Sequence, residues 1–280
     1  MPDTLPLLIL PHRRAPGTVQ MALDASLLHW ASVGPDRVVF RTYAWSRPTL
    51  SLGRAEPFPE GWDVDAIREE GVDVARRPTG GDAVLHATEL TFAVAASLPG
   101  PWNVRPRGFA DLVAEALARA FQEAGLAAER SVPAPRDANA GRARPGLHAC
   151  FSRLAPGEVR VGDYKVAGVA SRFTRGAALT HASVPLSGEF RDVARFRRHD
   201  RVSEHDALDA GARSAAELLS ERIHGERIAA ALVGELARAF GATCLEIAFR
   251  NLGRDDPADA PAASAGRMAS IPLQVQAARP

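Results

Sequence analysis

Two strand-like segments separated by only two residues are the feature that most restricts how this 280-residue chain can fold. The segments 158–161 and 164–170 are rich in valine and flank Gly162-Asp163, a dipeptide typical of a two-residue β-hairpin. Two residues suffice to connect antiparallel neighbours, whereas parallel strands need a crossover of a dozen or more residues. The spacing therefore predicts an antiparallel pair and argues against a doubly wound parallel sheet.

The rest of the chain alternates short β-prone runs with amphipathic helical stretches. The predicted strands are 37–43, 49–52, 72–76, 83–85, 90–96 and 177–184. The predicted helices are 18–33, 64–70, 109–124 and 227–240, with one more that opens on the capping box from Ser214 to Glu217. Hairpins mixed with such helices predict an α+β fold, in which a mainly antiparallel or mixed central sheet is flanked by helices.

Two segments lack the periodicity of helices or strands. Residues 131–146 contain three prolines together with Asp, Asn, Gly and Arg, which predicts a surface loop long enough to suspect a function. After Arg250 the composition is dominated by Asp, Pro, Ala, Gly and Ser. We therefore expect one domain over residues 1–250 and a mostly disordered tail over residues 251–280.

The charge balance and the cysteine count exclude several classes of protein. Lys plus Arg is 34 and Asp plus Glu is 33, so the formal charge is 34 − 33 = +1, and no chain-wide attraction to nucleic acid or anionic lipid is expected. Two cysteines, Cys150 and Cys244, are too few for a disulfide framework and lack metal-ligand spacing. The apolar run 5–10 is too short for a signal peptide or a membrane helix. We expect a cytoplasmic protein with free thiols and with no metal, membrane or nucleic-acid partner.

The segment 76–86 places two arginines before a turn that contains Pro, Thr and two glycines. Gly80 and Gly81 allow a ligand to approach the backbone closely, and successive exposed amides there can hold an oxyanion or a carbonyl group. An ordinary loop between strands, with solvated arginines, has the same composition. Residue types alone leave both interpretations open.

Cys150 and Lys165 form the second group of candidates. Cys150 follows the long proline-containing loop, whereas Cys244 lies in an apolar, strand-like stretch and is assigned to the core. A cysteine is more often a small buried apolar side chain than a nucleophile, and a lysine at a hairpin is usually solvated. The functional alternative is a thiolate whose pKa is lowered by a nearby ammonium group, because the thiolate is the reactive form.

The glycine turn resembles a family signature. The string 76–86, Arg-Arg-Pro-Thr-Gly-Gly-Asp-Ala-Val-Leu-His, is similar to the Arg-Arg-x-(Ser/Thr)-Gly-Gly-x-x-Val-x-His motif of lipoate-protein ligases and octanoyltransferases, in the biotin/lipoate protein ligase superfamily. The segment 89–92, Glu-Leu-Thr-Phe, resembles the Glu-Leu-Thr-Tyr stretch of the octanoyltransferase branch. The segments 21–24 and 50–53 fall in the expected order, so the resemblance covers residues 18–250.

Three positions depart from the pattern of this superfamily. Asp82 stands where Gly or Arg is common, Ala87 stands where Asp is usual, and Ala182 replaces the Gly of a His-Gly-Ser segment. An acidic side chain at the turn disfavours an anionic ligand such as the phosphate of an acyl-adenylate. The departure at Asp82 therefore favours a transferase over a ligase that uses ATP.

The segment 165–171 resembles the Lys-(Ile/Val)-x-Gly-x-Ala motif of the superfamily, in which the lysine faces the acyl pocket. A cysteine at the Ala-Cys-Phe position together with that lysine is typical of octanoyltransferases and related amidotransferases, so the resemblance implies that Cys150 and Lys165 are catalytic. The implied substrate-binding residues are Arg76, Arg77, Thr79, Gly80, Gly81, His86, Gly168, Ala170, Ser171 and His181. For the two histidines, hydrogen bonding inside the fold is the alternative.

The activity implied by the resemblance is that of an octanoyl-[acyl carrier protein]:protein N-octanoyltransferase in lipoate biosynthesis. Cys150 would carry the octanoyl group as a thioester, and a lysine of a lipoyl domain or of the glycine-cleavage H protein would accept it, without a cofactor. Three alternatives remain at this stage. They are an ATP-dependent lipoate-protein ligase, a lipoyl-domain amidotransferase and a non-catalytic carrier-binding protein.

Overall fold

The computed structural model describes residues 5–34, 36–100, 104–132, 150–152, 154–155, 157–199, 201–219 and 225–248, and for Cys150 it describes the backbone alone. Most of the predicted loop 131–146 and the whole predicted tail 251–280 lie outside the described residues. Within the described parts of the chain, no helix combines the length and the apolar character that a membrane crossing requires.

The main sheet is mixed, as the sequence predicts. Its strands are β1 (Pro6–Ala15), β2 (Val38–Trp45), β6 (Glu89–Ser97), β7 (Ala128–Arg130), β8 (Val159–Val161), β9 (Tyr164–Thr174), β10 (Ala177–Pro185) and β11 (Thr243–Glu246). They are arranged in the order β11-β1-β2-β6-β10-β9-β8-β7. Strand β1 is parallel to β11 and β2, whereas the other neighbours are antiparallel. The predicted hairpin is present, because Val161 pairs with Tyr164 across the two-residue turn.

A smaller three-stranded sheet lies beside the main one. It consists of β3 (Thr49–Leu52), β4 (Asp73–Arg76) and β5 (Val84–His86), in the order β4-β3-β5. Strand β3 is parallel to β4 and antiparallel to β5. The glycine turn connects β4 to β5, so both of its ends are fixed by pairing with β3.

The described helices are α1 (Gly17–Ser32), α2 (Val64–Glu69), α3 (Pro106–Glu123), α4 (Arg201–Gly211), α5 (Ala215–Leu219) and α6 (Gly225–Phe240). Helices α3 and α6 cover one face of the main sheet and α1 covers the other. Strand β6 is buried on both faces, because Phe92 and Val94 belong to the core cluster of α3 and α6, whereas Ala93 and Ala95 belong to the cluster of α1. Alternate side chains of a strand point to opposite faces, so this nearly continuous apolar strand carries both cores.

A third core cluster fixes the position of the small sheet. Leu50 and Leu52 of β3 pack with Phe190 and Phe196 of the 3-10 segment Gly188–Phe196 and with Leu208 of α4. The aromatic ring of Phe151 is buried in the same cluster. The residue after Cys150 is therefore anchored beneath the small sheet.

The structure contradicts the predicted burial of Cys244. This cysteine lies in β11 and is exposed. Strand β11 is at the edge of the sheet and pairs with β1 alone, where Cys244 is opposite Leu7. An edge strand has one unpaired side and is less covered by helices, so an apolar sequence around Cys244 does not place it in the core.

Candidate functional site

The glycine turn is held by close backbone contact with the end of β3. A Cβ atom on Gly53 would lie 1.8 Å from the carbonyl oxygen of Gly81, so only glycine fits at position 53. Gly81 has a φ of +95°, a conformation that favours glycine. The sequence therefore needs glycine on both sides of this contact to bring the turn against β3.

Arg77 is buried and binds the turn from inside. Its Nη1 donates to the carbonyl of Ser51 at 2.9 Å, and its Nη2 donates to the carbonyl oxygens of Gly80 and Asp82 at 3.0 and 2.7 Å. Arg76 has a related role, because its Nη1 donates to the carbonyl oxygens of Gly53 and Glu56. These bonds shape the loops around the turn, and direct binding of substrate by either arginine stays a prediction.

An open cavity of about 540 Å³, which we call the mouth, separates the glycine turn from β9. Its lining residues are Gly80, Gly81, Asp82, Leu154, Ala155, Glu158, Lys165, Val169, Ala170 and Ser171. The fold thus brings Lys165 and four of the predicted substrate-binding residues to one cavity.

Lys165 is fully buried at the mouth and is paired with a carboxylate. Its Nζ lies 2.6 Å from Oε1 of Glu158 and 5.0 Å from the centroid of the Phe151 ring. A buried ammonium group needs such partners, because removing a charge from water costs on the order of several kcal/mol per ion. The backbone of Lys165 is fixed as well, since its carbonyl oxygen accepts a bond from the amide of Arg213 just after α4.

Glu158 was not among the residues expected from the sequence. It lies immediately before β8, and its Oε2 accepts a hydrogen bond from the amide of Ala155 at 2.7 Å. Burial raises the pKa of the Glu158 carboxyl group, although the charge of Lys165 acts in the opposite direction. The carboxylate is therefore fixed at both oxygens while its proton affinity stays above the ordinary value.

Cys150 begins a one-turn 3-10 helix, Cys150–Ser152. The next side chain, Phe151, packs against Phe190 with ring centroids 5.1 Å apart and is the ring that Lys165 contacts. The end of α4 packs on the same turn, because a Cβ on Gly211 would lie 3.2 Å from the carbonyl oxygen of Ser152. The backbone of Cys150 is thus one residue away from the ring beneath the Lys165 ammonium group.

A narrow internal cavity of about 30 Å³, which we call the slot, lies behind the mouth. Val169 and Ala170 of β9 line both cavities, so the slot and the mouth are adjacent. Gly168 lines the slot, and Trp45 and His86 form one of its walls as stacked rings with centroids 4.1 Å apart. The small residues of β9 share the lining of the slot with aromatic, aliphatic and polar side chains, among them Tyr43, Val84 and Thr91.

Glu89 organises one side of the slot. Its Oε1 lies 2.7 Å from Nδ1 of His86 and accepts a bond from Nε1 of Trp45 at 2.9 Å, while its Oε2 accepts a bond from Ser183. The Nε2 atom of His86 is 2.7 Å from Oγ of Ser51. Burial raises the pKa of Glu89, but His86 and the hydrogen bonds outweigh it, so the pKa is lowered overall and the carboxylate is kept ionised.

Asp24 organises the other side and connects it to the glycine turn. Its Oδ1 forms a fully buried ion pair with Arg41 at 2.5 Å, and its Oδ2 accepts a bond from the Tyr43 hydroxyl at 3.0 Å. Nδ1 of His181 is 3.1 Å from the same Oδ2, and Nε2 of His181 is 2.6 Å from Oγ1 of Thr79. A chain of contacts therefore runs from α1 through β10 to the threonine of the turn.

The ionisation of this chain follows from its burial. Burial raises the pKa of Asp24, but the charge of Arg41 and the hydrogen bonds from His181 and Arg41 outweigh it, so the pKa is lowered overall. Burial lowers the pKa of His181, against the influence of Asp24. A neutral His181 donates from Nδ1 to the carboxylate and accepts at Nε2 from the Thr79 hydroxyl, which fixes the orientation of that side chain.

Most of the predicted site residues line one of the two cavities. Lys165, Gly80, Gly81, Ala170 and Ser171 line the mouth, whereas Arg77, His86, His181, Gly168 and Ala170 line the slot. Arg76 and Thr79 line neither cavity, and for Cys150 the backbone alone is described. Both histidines line a cavity and are also hydrogen-bonded inside the fold, so the two interpretations of the sequence are compatible. In the described ranges, no three His, Cys, Asp or Glu side chains form a group able to hold a metal ion.

Sequence comparison identifies the relatives of this chain. Residues 16–237 match the family described as the lipoyl protein ligase A/B catalytic domain. The chain is 30% identical to octanoyltransferase LipM of Exiguobacterium sp. over 82% of this chain and 84% of that protein. It is also 30% identical to octanoyltransferase LipM of Exiguobacterium sibiricum, over 87% of this chain and 88% of that protein.

Structural comparison agrees on the fold. A bipartite lipoate protein ligase from Thermoplasma acidophilum superposes with a TM-score of 0.68 at 19% identity, over 88% of each chain. The predicted α+β architecture and the predicted enzyme class, an acyltransferase, are both confirmed. The chain belongs to the lipoyl protein ligase A/B catalytic domain family.

Proposed function

We propose that this protein is an octanoyltransferase of lipoate biosynthesis, which moves an octanoyl group from acyl carrier protein to a lysine of a lipoyl domain or of the glycine-cleavage H protein. The observation that carries the proposal is the mouth, where a buried Lys165–Glu158 pair lies beside the turn that Cys150 begins. The similarity to two octanoyltransferases supports the choice of acyl group.

In the first half-reaction, the thiolate of Cys150 attacks the thioester carbonyl carbon of octanoyl-acyl carrier protein. The new bond is a thioester to Cys150, the bond to the carrier sulfur breaks, and the carrier leaves as a thiolate that takes up a proton from water. At neutral pH only a few per cent of an unperturbed thiol is ionised. The ammonium group of Lys165 favours the thiolate and so increases the reactive fraction.

The slot and the glycine turn have separate tasks in this proposal. The octanoyl chain enters past Val169 and Ala170 and displaces the side chains that now narrow the slot. The amides of Gly80 and Gly81 lie on the opposite side of the mouth and hold the oxyanion of the tetrahedral intermediate. The hydrogen bond of Thr79 to His181 keeps the turn in place while charge develops.

In the second half-reaction, the ε-amine of the acceptor lysine attacks the Cys150 thioester. An amide bond forms, the thioester bond breaks, the attacking nitrogen loses one proton to a base at the mouth and Cys150 is released as a thiolate. The carboxylate of Asp82 lines the mouth and disfavours an anionic acyl-adenylate there. For that reason we favour direct transfer over an ATP-dependent ligase reaction.

The test is transfer of octanoate from octanoyl-acyl carrier protein to an apo lipoyl domain and to apo H protein, with no nucleotide present. We expect the intact protein to acylate at least one acceptor, and we expect Cys150→Ser to abolish the reaction. Cys244→Ser is the matched control, because it removes the other thiol of the sequence, which is exposed and lies outside the mouth. Acylation that requires ATP and free octanoate, or that survives in Cys150→Ser, contradicts the proposal.

A further inference from the structure

Glu158 is a buried carboxylate at the mouth that neither half-reaction described above uses. Its Oε1 lies 2.6 Å from Nζ of Lys165, and both side chains are almost completely buried. Its Oε2 is held by the amide of Ala155, and its own amide interacts with Oγ of Ser131. Glu158 nevertheless lines the mouth together with Lys165, so a proton that reaches the carboxylate can leave to solvent.

The second half-reaction releases a proton that needs an acceptor. Attack of a neutral amine on the thioester gives a tetrahedral intermediate with a protonated nitrogen, and this nitrogen must lose a proton before the amide is stable. Lys165 is an ammonium group beside a carboxylate, so it has no free lone pair with which to accept that proton. Cys150 leaves as a thiolate and is most easily expelled while the ammonium group of Lys165 stays beside it.

We propose that Glu158 is the proton acceptor of the aminolysis step and that it acts through Lys165, which it also positions. Lys165 passes one proton to Oε1 of Glu158 and takes up the proton of the attacking nitrogen. The nitrogen becomes an amide, Glu158 becomes a carboxylic acid, Lys165 is again an ammonium group and Cys150 departs as a thiolate. The inference rests on the proposed function, because it needs a Cys150 thioester and an amine acceptor.

The surroundings of the pair fit this role. Burial raises the pKa of the Glu158 carboxyl group, which brings its proton affinity closer to that of the groups with which it exchanges protons. A distance of 2.6 Å between the two heavy atoms permits direct transfer without an intervening water. Asp82 is the other carboxylate that lines the mouth, but it lies on the glycine turn, opposite β9.

The test separates the two half-reactions of the full-length protein. The enzyme is first mixed with octanoyl-acyl carrier protein, and formation of the acyl-enzyme is followed by intact-mass spectrometry. An apo lipoyl domain is then added, and the decay of the acyl-enzyme is followed after rapid quenching. Glu158→Gln is compared with the intact protein, with Glu158→Asp and with Glu129→Gln, which removes a carboxylate from a partly exposed ion pair with Arg160.

We expect Glu158→Gln to form the acyl-enzyme within a few-fold of the normal rate but to lose it to the acceptor about 10²-fold more slowly. Glu158→Asp keeps the carboxylate with a shorter reach, so it recovers part of the second step, and Glu129→Gln behaves like the intact protein. Normal decay in Glu158→Gln overturns the inference, and so does equal loss of both half-reactions in Glu158→Gln and Glu158→Asp. If the intact protein forms no acyl-enzyme, the proposed function itself fails.

Discussion

The slot and the mouth are adjacent cavities whose buried carboxylates differ in their hydrogen bonding and in the direction of their pKa shifts. Around the slot of about 30 Å³, Asp24 and Glu89 each bind at least three groups of the protein and have lowered pKa values. At the mouth of about 540 Å³, Glu158 is paired with Lys165 and has a raised pKa. The carboxylates around the slot are ionised and fixed by hydrogen bonds, whereas the Glu158–Lys165 pair at the mouth can exchange a proton. In the proposed function, Asp24 and Glu89 fix the shape of the slot that binds the acyl chain, whereas Glu158 takes part in the chemistry.

Replacement of Lys165 at the mouth is expected to have the largest effect on activity. Lys165→Met fills a similar volume without the charge, and transfer should fall by about 10²- to 10⁴-fold because thiolate stabilisation and proton transfer are both lost. Octanoyl transfer under single-turnover conditions is the measurement. Stability should change less than activity, since Glu158 can take up a proton when its partner is absent.

The double variant Lys165→Met with Glu158→Gln is the control for that prediction. It removes both members of the ion pair, so any instability caused by a lone buried carboxylate should be relieved. Activity should stay low in the double variant while the free energy of unfolding recovers. Recovery of activity would show that Lys165 serves only to neutralise Glu158.

Removal of the charge of Asp24 behind the slot is expected to act mainly on stability. Asp24→Asn leaves the buried guanidinium of Arg41 without its counter-charge, and loss of one member of a buried pair typically costs about 3–5 kcal/mol. Denaturant unfolding measures this change. Asp65→Asn is the matched control, because its ion pair with Arg68 is exposed and should contribute almost nothing. An equal change in the free energy of unfolding for the two substitutions would show that the buried ion pair stabilises the fold no more than the exposed one.

A larger side chain at a residue shared by the two cavities should change the choice of acyl chain. Ala170→Leu adds three carbon atoms at a position that lines both cavities. We expect about a 10- to 200-fold loss with octanoyl donors and a smaller loss with butanoyl donors, since a few methylene groups in an apolar pocket have effects of that size. Relative kcat/KM values for the two donors are the measurement. A uniform loss for both donors would mean that the chain does not pass this residue.

The pH dependence of the free energy of unfolding should reveal the lowered pKa of His181, the buried histidine that lines the slot beside Asp24. The pKa of His181 is lower in the folded protein than in the unfolded chain. As the pH falls through about 6.5, the ordinary pKa of histidine, the unfolded chain therefore binds a proton that the folded protein does not yet bind. Its contribution to stability is complete above that value and is lost on acidification, with a slope of at most about 1.4 kcal/mol per pH unit. His181→Gln should therefore show a shallower loss between pH 7 and 5 in denaturant unfolding. An unchanged slope contradicts a neutral His181.

Local patterns in the sequence predicted most of the secondary structure correctly. The hairpin at Gly162-Asp163 and the capping box at Ser214 are both present, with the amide of Ser214 bound to Glu217. Helix α4 was missed because it lacks an apolar stripe in the sequence, and its buried residues are Glu204 and Leu208. Strand β1 was seen only as a short apolar run, since its pairing depends on β2 and β11.

The candidate site could be predicted in part. Motifs identified Lys165 and the glycine turn because their residue types recur at fixed spacing, and both line the mouth. The partners of these residues depend on the tertiary fold, so sequence spacing gave no sign of them. Glu158 meets Lys165 across the hairpin, and Asp24 meets His181 from 157 positions away. The role of each predicted residue is therefore set by contacts that only the folded chain brings together.

The most direct test of the Cys150 thioester is to locate the acyl group on the enzyme. The protein is mixed with octanoyl-acyl carrier protein, quenched in acid and digested, and the octanoylated peptide is identified by tandem mass spectrometry. We predict that the modification lies on Cys150, that hydroxylamine removes it and that Cys244→Ser does not affect it. An octanoyl group on Cys244, an adduct that resists hydroxylamine, or the absence of any adduct during active transfer would contradict a Cys150 acyl-enzyme.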